Sequence, residues 1–163
     1  MTEQLTYRPQ DIANWFLNQI DPDAGDSITH LKLQKLVYYA EAWALALFDT
    51  SLFEDEFEAW AHGPVVRSLY NEYRHCGWEP IMEEVEEPPE FEEDVQDLLQ
   101  EVFRVYGEHS AKTLEKLTHR EQPWRNAREG YAPEEWSNEK ISKEDMKEFY
   151  SRLYEQAQQK ADS

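Results

Sequence analysis

The chain has 163 residues, 40% of them hydrophobic, which suits one domain around a single core and leaves too little for two independent ones. Its 16 Lys and Arg stand against 35 Asp and Glu, and the resulting net charge of -19 repels a phosphate backbone, which argues against direct nucleic-acid binding. The single cysteine, Cys76, excludes an internal disulfide; no basic segment followed by an apolar run opens the sequence, and no stretch approaches the roughly 20 apolar residues of a membrane helix, so a soluble cytoplasmic protein is expected.

Pro9 suits the first turn of a helix, and Ile12, Trp15, Phe16 and Ile20 recur at helical spacing, so the first helix is predicted from about Pro9 to Ile20. Asp21, Pro22 and Gly25 end it. Thr29 can cap a second helix whose Leu33, Leu36, Val37, Ala40, Trp43, Ala44 and Leu47 form a broad apolar face. That breadth predicts the central helix, packed on more than one side, with Lys32, Lys35 and Glu41 on its wetter edge. From Leu52 to Trp60 the alternation of Phe57 and Ala59 allows a short extended segment near 55–60. His62, Gly63 and Pro64 then read as a sharp entrance to a third helix, with Pro64 in its first turn and Val65, Val66, Leu69, Tyr70 and Tyr73 facing inward until Gly77.

Nine acidic and no basic residues lie between Glu83 and Asp97, interrupted by Pro88 and Pro89. Like charges and prolines disfavour a continuous helix, so an acidic, exposed and flexible loop is predicted over 79–92. Helical spacing resumes at Val95, Leu98, Leu99, Val102, Phe103 and Tyr106. Ser110 can cap a short helix carrying Leu114 and Leu117, Thr118 and Glu121 have capping-box spacing ahead of Pro123 and Trp124, and Ser142 with Asp145 can start a last helix that buries Met146, Phe149, Tyr150 and Leu153. The expected fold is mainly α: one compact domain over 1–163, a bundle of about six helices.

Chemistry finds little purchase. The histidines at 30, 62, 75, 109 and 119 lack metal-ligand spacing, adjacent His75 and Cys76 fall short of the four ligands of a structural zinc site, and no glycine pattern cradles a phosphate. No catalytic residue, metal or cofactor is therefore expected, and a metal-assisted hydrolase is the weakest reading. An acidic mimic of nucleic acid, acting on proteins that bind DNA or RNA, is an alternative that the charge permits.

Two polar and aromatic corners stand apart from a plain helical core: Trp60 to Val66 and Thr118 to Trp124. Around them the sequence resembles the Panacea domain family, also called SocA-like or GepA-like. The resemblance is carried by DIANWFL (Asp11 to Leu17), ITHLKLQKLVYYAEAWALAL (Ile28 to Leu47), FEAWAHGPVVRSLYNEY (Phe57 to Tyr73) and LEKLTHREQPWRNAR (Leu114 to Arg128), in family order and over most of the chain. It implies a mainly helical antitoxin domain that binds and neutralises a cognate toxin protein without catalysis; one branch resembles a proteolytic adaptor that hands its toxin to an ATP-dependent protease. The acidic stretch after the third helix is longer than the family's usual one. The expected partner is a basic toxin, and if the two corners meet at one face, Trp60, His62, Arg67, His119 and Trp124 supply the aromatic anchors and directional donors of an interface.

Overall fold

The computed structural model describes residues 3–4 and 7–162, and the framework is built around one helix. Helix α2 (His30–Phe48) is capped by Thr29, whose hydroxyl accepts from the Lys32 amide at 3.2 Å, and it ends on Asp49 in the left-handed conformation (φ 53°). Leu33, Leu36, Val37, Tyr38, Tyr39, Ala40, Ala42, Ala44 and Leu45 are all essentially inaccessible to solvent. A helix that is apolar on nearly every side must be covered on every side, and α2 packs against α1 (Pro9–Leu17), α4 (Glu93–Tyr106), α5 (Ala111–Arg120) and α7 (Lys143–Asp162). Two short helices, α3 (Arg67–Tyr73) and α6 (Gln122–Ala127), bring the number among the described residues to seven. One more is present than the spacing suggested, because the extended backbone of Glu121 separates α5 from α6. None of the helices is long and apolar enough to cross a membrane.

Strand content is small. β1 (Glu3–Gln4) pairs in parallel with β2 (Thr50–Ser51), and β3 (Glu58–Trp60) pairs antiparallel with β4 (Gly63–Val65). The extended segment expected near 55–60 is thus one arm of a hairpin. Pro64 corrects the sequence reading: it sits in β4 opposite Ala59, and α3 begins only at Arg67. In a two-stranded ribbon proline's missing donor is easily tolerated, and the side chain of Gln34 completes the pairing, accepting from the Val66 amide at 2.8 Å and donating to its carbonyl at 3.1 Å.

Other expectations need correction. α1 stops at Leu17 rather than Ile20. Lys35 and Glu41 are buried, at 1% and 0% exposure, not on a wet edge, while Leu47 and Leu153 are exposed rather than part of the core. Thr118 and Glu121 form no capping box: the Thr118 hydroxyl donates to the Glu115 carbonyl and the Glu121 carboxylate turns into the interior. The acidic segment 79–92 has neither helix nor strand and is mostly exposed, although Ile81 and Phe91 reach the core and α4 starts at Glu93, inside the acidic run.

The caps at Ser110 and Ser142 form as local chemistry dictates, each hydroxyl accepting at 3.1 Å from the amide three residues on. Ser110→Ala is expected to lower stability by about 1 kcal/mol through α5; an unchanged denaturant midpoint would show that the cap carries no weight.

Candidate partner-binding site

The β3–β4 turn is where the two corners join. Gly63 has φ 116°, and an added Cβ would lie 2.9 Å from Cε of Lys35 and 3.3 Å from the Thr118 hydroxyl, so only glycine fits here. The close approach presses the turn onto α2 and α5. From the second corner Trp124 donates its indole N–H to the Trp60 carbonyl at 2.9 Å, and Arg128 donates to the Ala59 carbonyl at 2.8 Å. Segment 139–141 continues the ribbon on the other side: the Ala59 amide donates to the Glu139 carbonyl at 2.7 Å and the Ile141 amide to the Phe57 carbonyl at 2.8 Å.

The five residues expected at an interface are therefore neighbours, but they differ in accessibility. Trp124 is 6% exposed and belongs to the interior, stacked on His119 with ring centroids 3.9 Å apart. His119 is half-buried; burial pushes its imidazole below the ordinary range against the pull of Glu115, and the charges of Lys35 and Arg128 add to the burial effect. Trp60 is half-buried, edge-on to Tyr70 at 4.7 Å, with the Arg67 guanidinium 5.4 Å above its ring. Glu58 holds both, accepting from the Trp60 indole at 2.9 Å and from Arg67 at 2.8 and 3.1 Å. Burial pushes the Glu58 carboxyl up, but the Arg67 and Trp60 hydrogen bonds together outweigh it and leave it below its ordinary value. Arg67 and His62 are exposed, and His62 lies 3.3 Å from Glu115. A solvent-facing patch of Trp60, His62 and Arg67 thus rests on a packed base of His119 and Trp124.

Sequence reasoning missed the buried polar groups beneath this patch. Glu121 accepts from the Tyr39 hydroxyl at 2.6 Å and from the Tyr150 hydroxyl at 2.9 Å, and burial lifts its carboxyl to about 7 although both hydrogen bonds pull the other way. Tyr39 in turn stacks on Tyr106 with centroids 4.0 Å apart. Arg128 fans its guanidinium over the carbonyls of Ala59, Ala132 and Glu135 and lies 5.1 Å from the Trp124 ring centroid. Tyr39 and Tyr150 lie 82 and 29 positions from Glu121, and Ala59 lies 69 from Arg128, so no local pattern signals those contacts; only the Arg128 bonds to Ala132 and Glu135 are local.

Among the described residues His75, Cys76 and Glu83 bring possible ligand atoms within 4.8 Å of one another. Their mutual contacts already use the carboxylate, which accepts from both neighbours, and burial with Glu83 close by raises the Cys76 thiol, so the thiolate that metals prefer is disfavoured.

Fold and site together define a mainly helical domain whose two aromatic and polar corners meet at the β3–β4 hairpin. A sequence model of the family described as antitoxin SocA-like, Panacea domain matches residues 33–125, more than half of the chain and the span from α2 through the hairpin to α6; the chain belongs to that family. No curated protein and no solved structure matches it.

Proposed function

We propose that this protein is an antitoxin that neutralises a cognate toxin protein by binding it, with no chemistry of its own. The family match over 33–125 carries the reading, since those residues include the central helix and both corners. The patch of Trp60, His62 and Arg67 on its fixed base is the proposed contact: an aromatic ring and a guanidinium already held by Glu58 lose little freedom on binding. The surrounding charge of -19 steers a basic toxin toward it, so association slows as salt rises. Delivery of the bound toxin to an ATP-dependent protease is the adaptor form of the same reading, set in the cytoplasm.

The test pairs affinity with unfolding on the same variants, with the protein encoded beside this one as bait. His62→Ala with Arg67→Ala is expected to weaken binding at least tenfold and leave the unfolding midpoint where it was, because both side chains face solvent. Trp124→Ala should lower stability first. Unchanged affinity across folded variants of both corners would sink the interface, and failure of the unaltered protein to bind or protect against its neighbour would sink the antitoxin reading itself.

A further inference from the structure

Beside the hairpin turn, a cavity of about 260 Å³ is lined by Leu31, Lys35, His62, Trp78, Lys112 and Glu115, together with Thr29 and Ala111. Its chemistry departs from the rest of the surface in three ways. First, Lys35 lies at its floor: the side chain is 1% exposed, Gly63 packs on its Cε, and no protein group among the described residues accepts a hydrogen bond from its ammonium. The ammonium is not among the polar atoms sealed from solvent without a partner, and the cavity it lines is its opening. Burial lowers it to about 8, with the Glu115 charge opposing, so it still carries its proton at pH 7.

Second, the first turns of two helices border the same cavity, α2 through Thr29 and Leu31 and α5 through Ala111 and Lys112. Both present the positive ends of their dipoles. Lys35 and Lys112 outnumber Glu115, which is 3.4 Å from Lys112 and 3.3 Å from His62. The lining thus carries a net positive charge on a chain whose total is -19. Third, the walls are apolar, and Trp78 stands at the mouth with 78% of its surface exposed, an unusual place to leave the largest aromatic side chain.

We propose that this cavity receives the C-terminal residue of a partner polypeptide, its α-carboxylate meeting Lys35 and its apolar side chain lying against Leu31 and Trp78. A carboxylate supplies the acceptor that the buried ammonium lacks, and the two helix ends favour the same charge. A terminal residue carries charge and apolar surface on one carbon, which matches a cation at the bottom of an apolar pocket. The volume is below the roughly 300–1,000 Å³ of sites for drug-sized ligands and suits one residue, and a chain end can enter where an internal segment has to cross. Naming the toxin as that partner rests on the antitoxin reading; the chemistry of the cavity does not.

The experiment is an NMR titration of the full chain with N-acetyl-leucine, following the Trp78 indole and the Ala111 and Lys112 amides, with N-acetyl-leucinamide as the neutral control. The acid is expected to shift these signals and the amide to leave them still. Lys35→Met removes only the charge from a buried site, so the domain keeps its fold and the rest of its spectrum, and the acid-dependent shifts should vanish. Trp78→Ala, at an exposed position, should weaken binding of the acid severalfold. Equal response to acid and amide, persistence of the shifts in Lys35→Met, or binding of an internal aspartate peptide as tight as that of N-acetyl-leucine would overturn the proposal. With the neighbouring protein as bait, Lys35→Met and removal of the bait's last residue should each reduce affinity about tenfold, the loss of one charge-assisted contact. Normal bait binding by Lys35→Met would refute the pocket's role and leave the antitoxin reading standing; no bait binding by the unaltered protein would refute that reading, while the peptide titration still judges the cavity.

Discussion

Lys143→Met is expected to lower stability by about 3–5 kcal/mol at neutral pH, because it strands the Glu41 carboxylate inside the protein. Glu41 sits on the central helix with no solvent exposure; Lys143 Nζ is 2.8 Å away, and the Ser51 hydroxyl and Leu52 amide donate at 2.6 and 2.7 Å. Lys143 also donates to the Ser51 hydroxyl and the Phe53 carbonyl, so one ammonium ties the start of α7 to α2 and to the loop between β2 and β3. Methionine keeps an apolar stem of similar length and removes the ammonium, which lies 5.4 Å from the Phe53 ring centroid, so the loss is that of the charge and its contacts.

Burial already raises the Glu41 carboxyl above its ordinary 4.5, against Lys143 and the two neutral donors, and without the lysine it rises further. A carboxyl raised in the folded state costs stability only where the unfolded chain would ionise it. The deficit of Lys143→Met should therefore be present at pH 7 and shrink as pH falls to 4.5 and below, and adding Glu41→Gln should recover part of it. Denaturant midpoints for the single and double variants at the two pH values decide the matter. A deficit below 1 kcal/mol, or one independent of pH, would mean that water reaches Glu41 and replaces the lysine.

The way this pair escaped sequence reading shows where periodicity ends. Leu36, Val37 and Ala40 were legible as core because each repeats the spacing of its neighbours, and the Thr29, Ser110 and Ser142 caps because donor and acceptor lie three residues apart. Lys35 and Glu41 obey the same helical geometry but point at partners that fold back from far along the chain: Gly63 and α5 for Lys35, Lys143 for Glu41. A charged residue on a helix is expected to be wet by default, and only tertiary contacts reveal the exception. Pro64 misled for a different reason. His-Gly-Pro ahead of an apolar run suits a helix start as well as a tight ribbon, and the ribbon wins because Gln34, remote in sequence, satisfies the backbone of Val66 just beyond it. The corners at Trp60 and Trp124 were legible as chemistry, aromatic and polar together, whereas the hydrogen bond that joins them spans 64 positions.

Glu121→Gln is expected to stabilise the protein at pH 8 by up to about 3 kcal/mol and to leave it unchanged in acid. Glu121 is 7% exposed, and burial lifts its carboxyl from 4.5 to about 7 despite the Tyr39 and Tyr150 hydroxyls that donate to it. The folded state thus holds the proton over a pH range in which the unfolded chain has released it. Bound protons then favour folding below 4.5, the advantage drains away between 4.5 and about 7, and above 7 the folded protein carries the full penalty of a buried carboxylate. Glutamine imitates the protonated acid: its amide oxygen can accept from both tyrosines, and it does not ionise. The difference between the two proteins should be near zero at pH 4, grow through the window from 4.5 to 7, and level off above it, whatever the other carboxylates do to both in parallel. Matched urea titrations at half-unit steps from pH 4 to 8 read that difference directly. A constant offset, or a Glu121→Gln protein less stable than its parent at pH 8, would show that the two tyrosine hydrogen bonds prefer a true carboxylate strongly enough to overcome its burial.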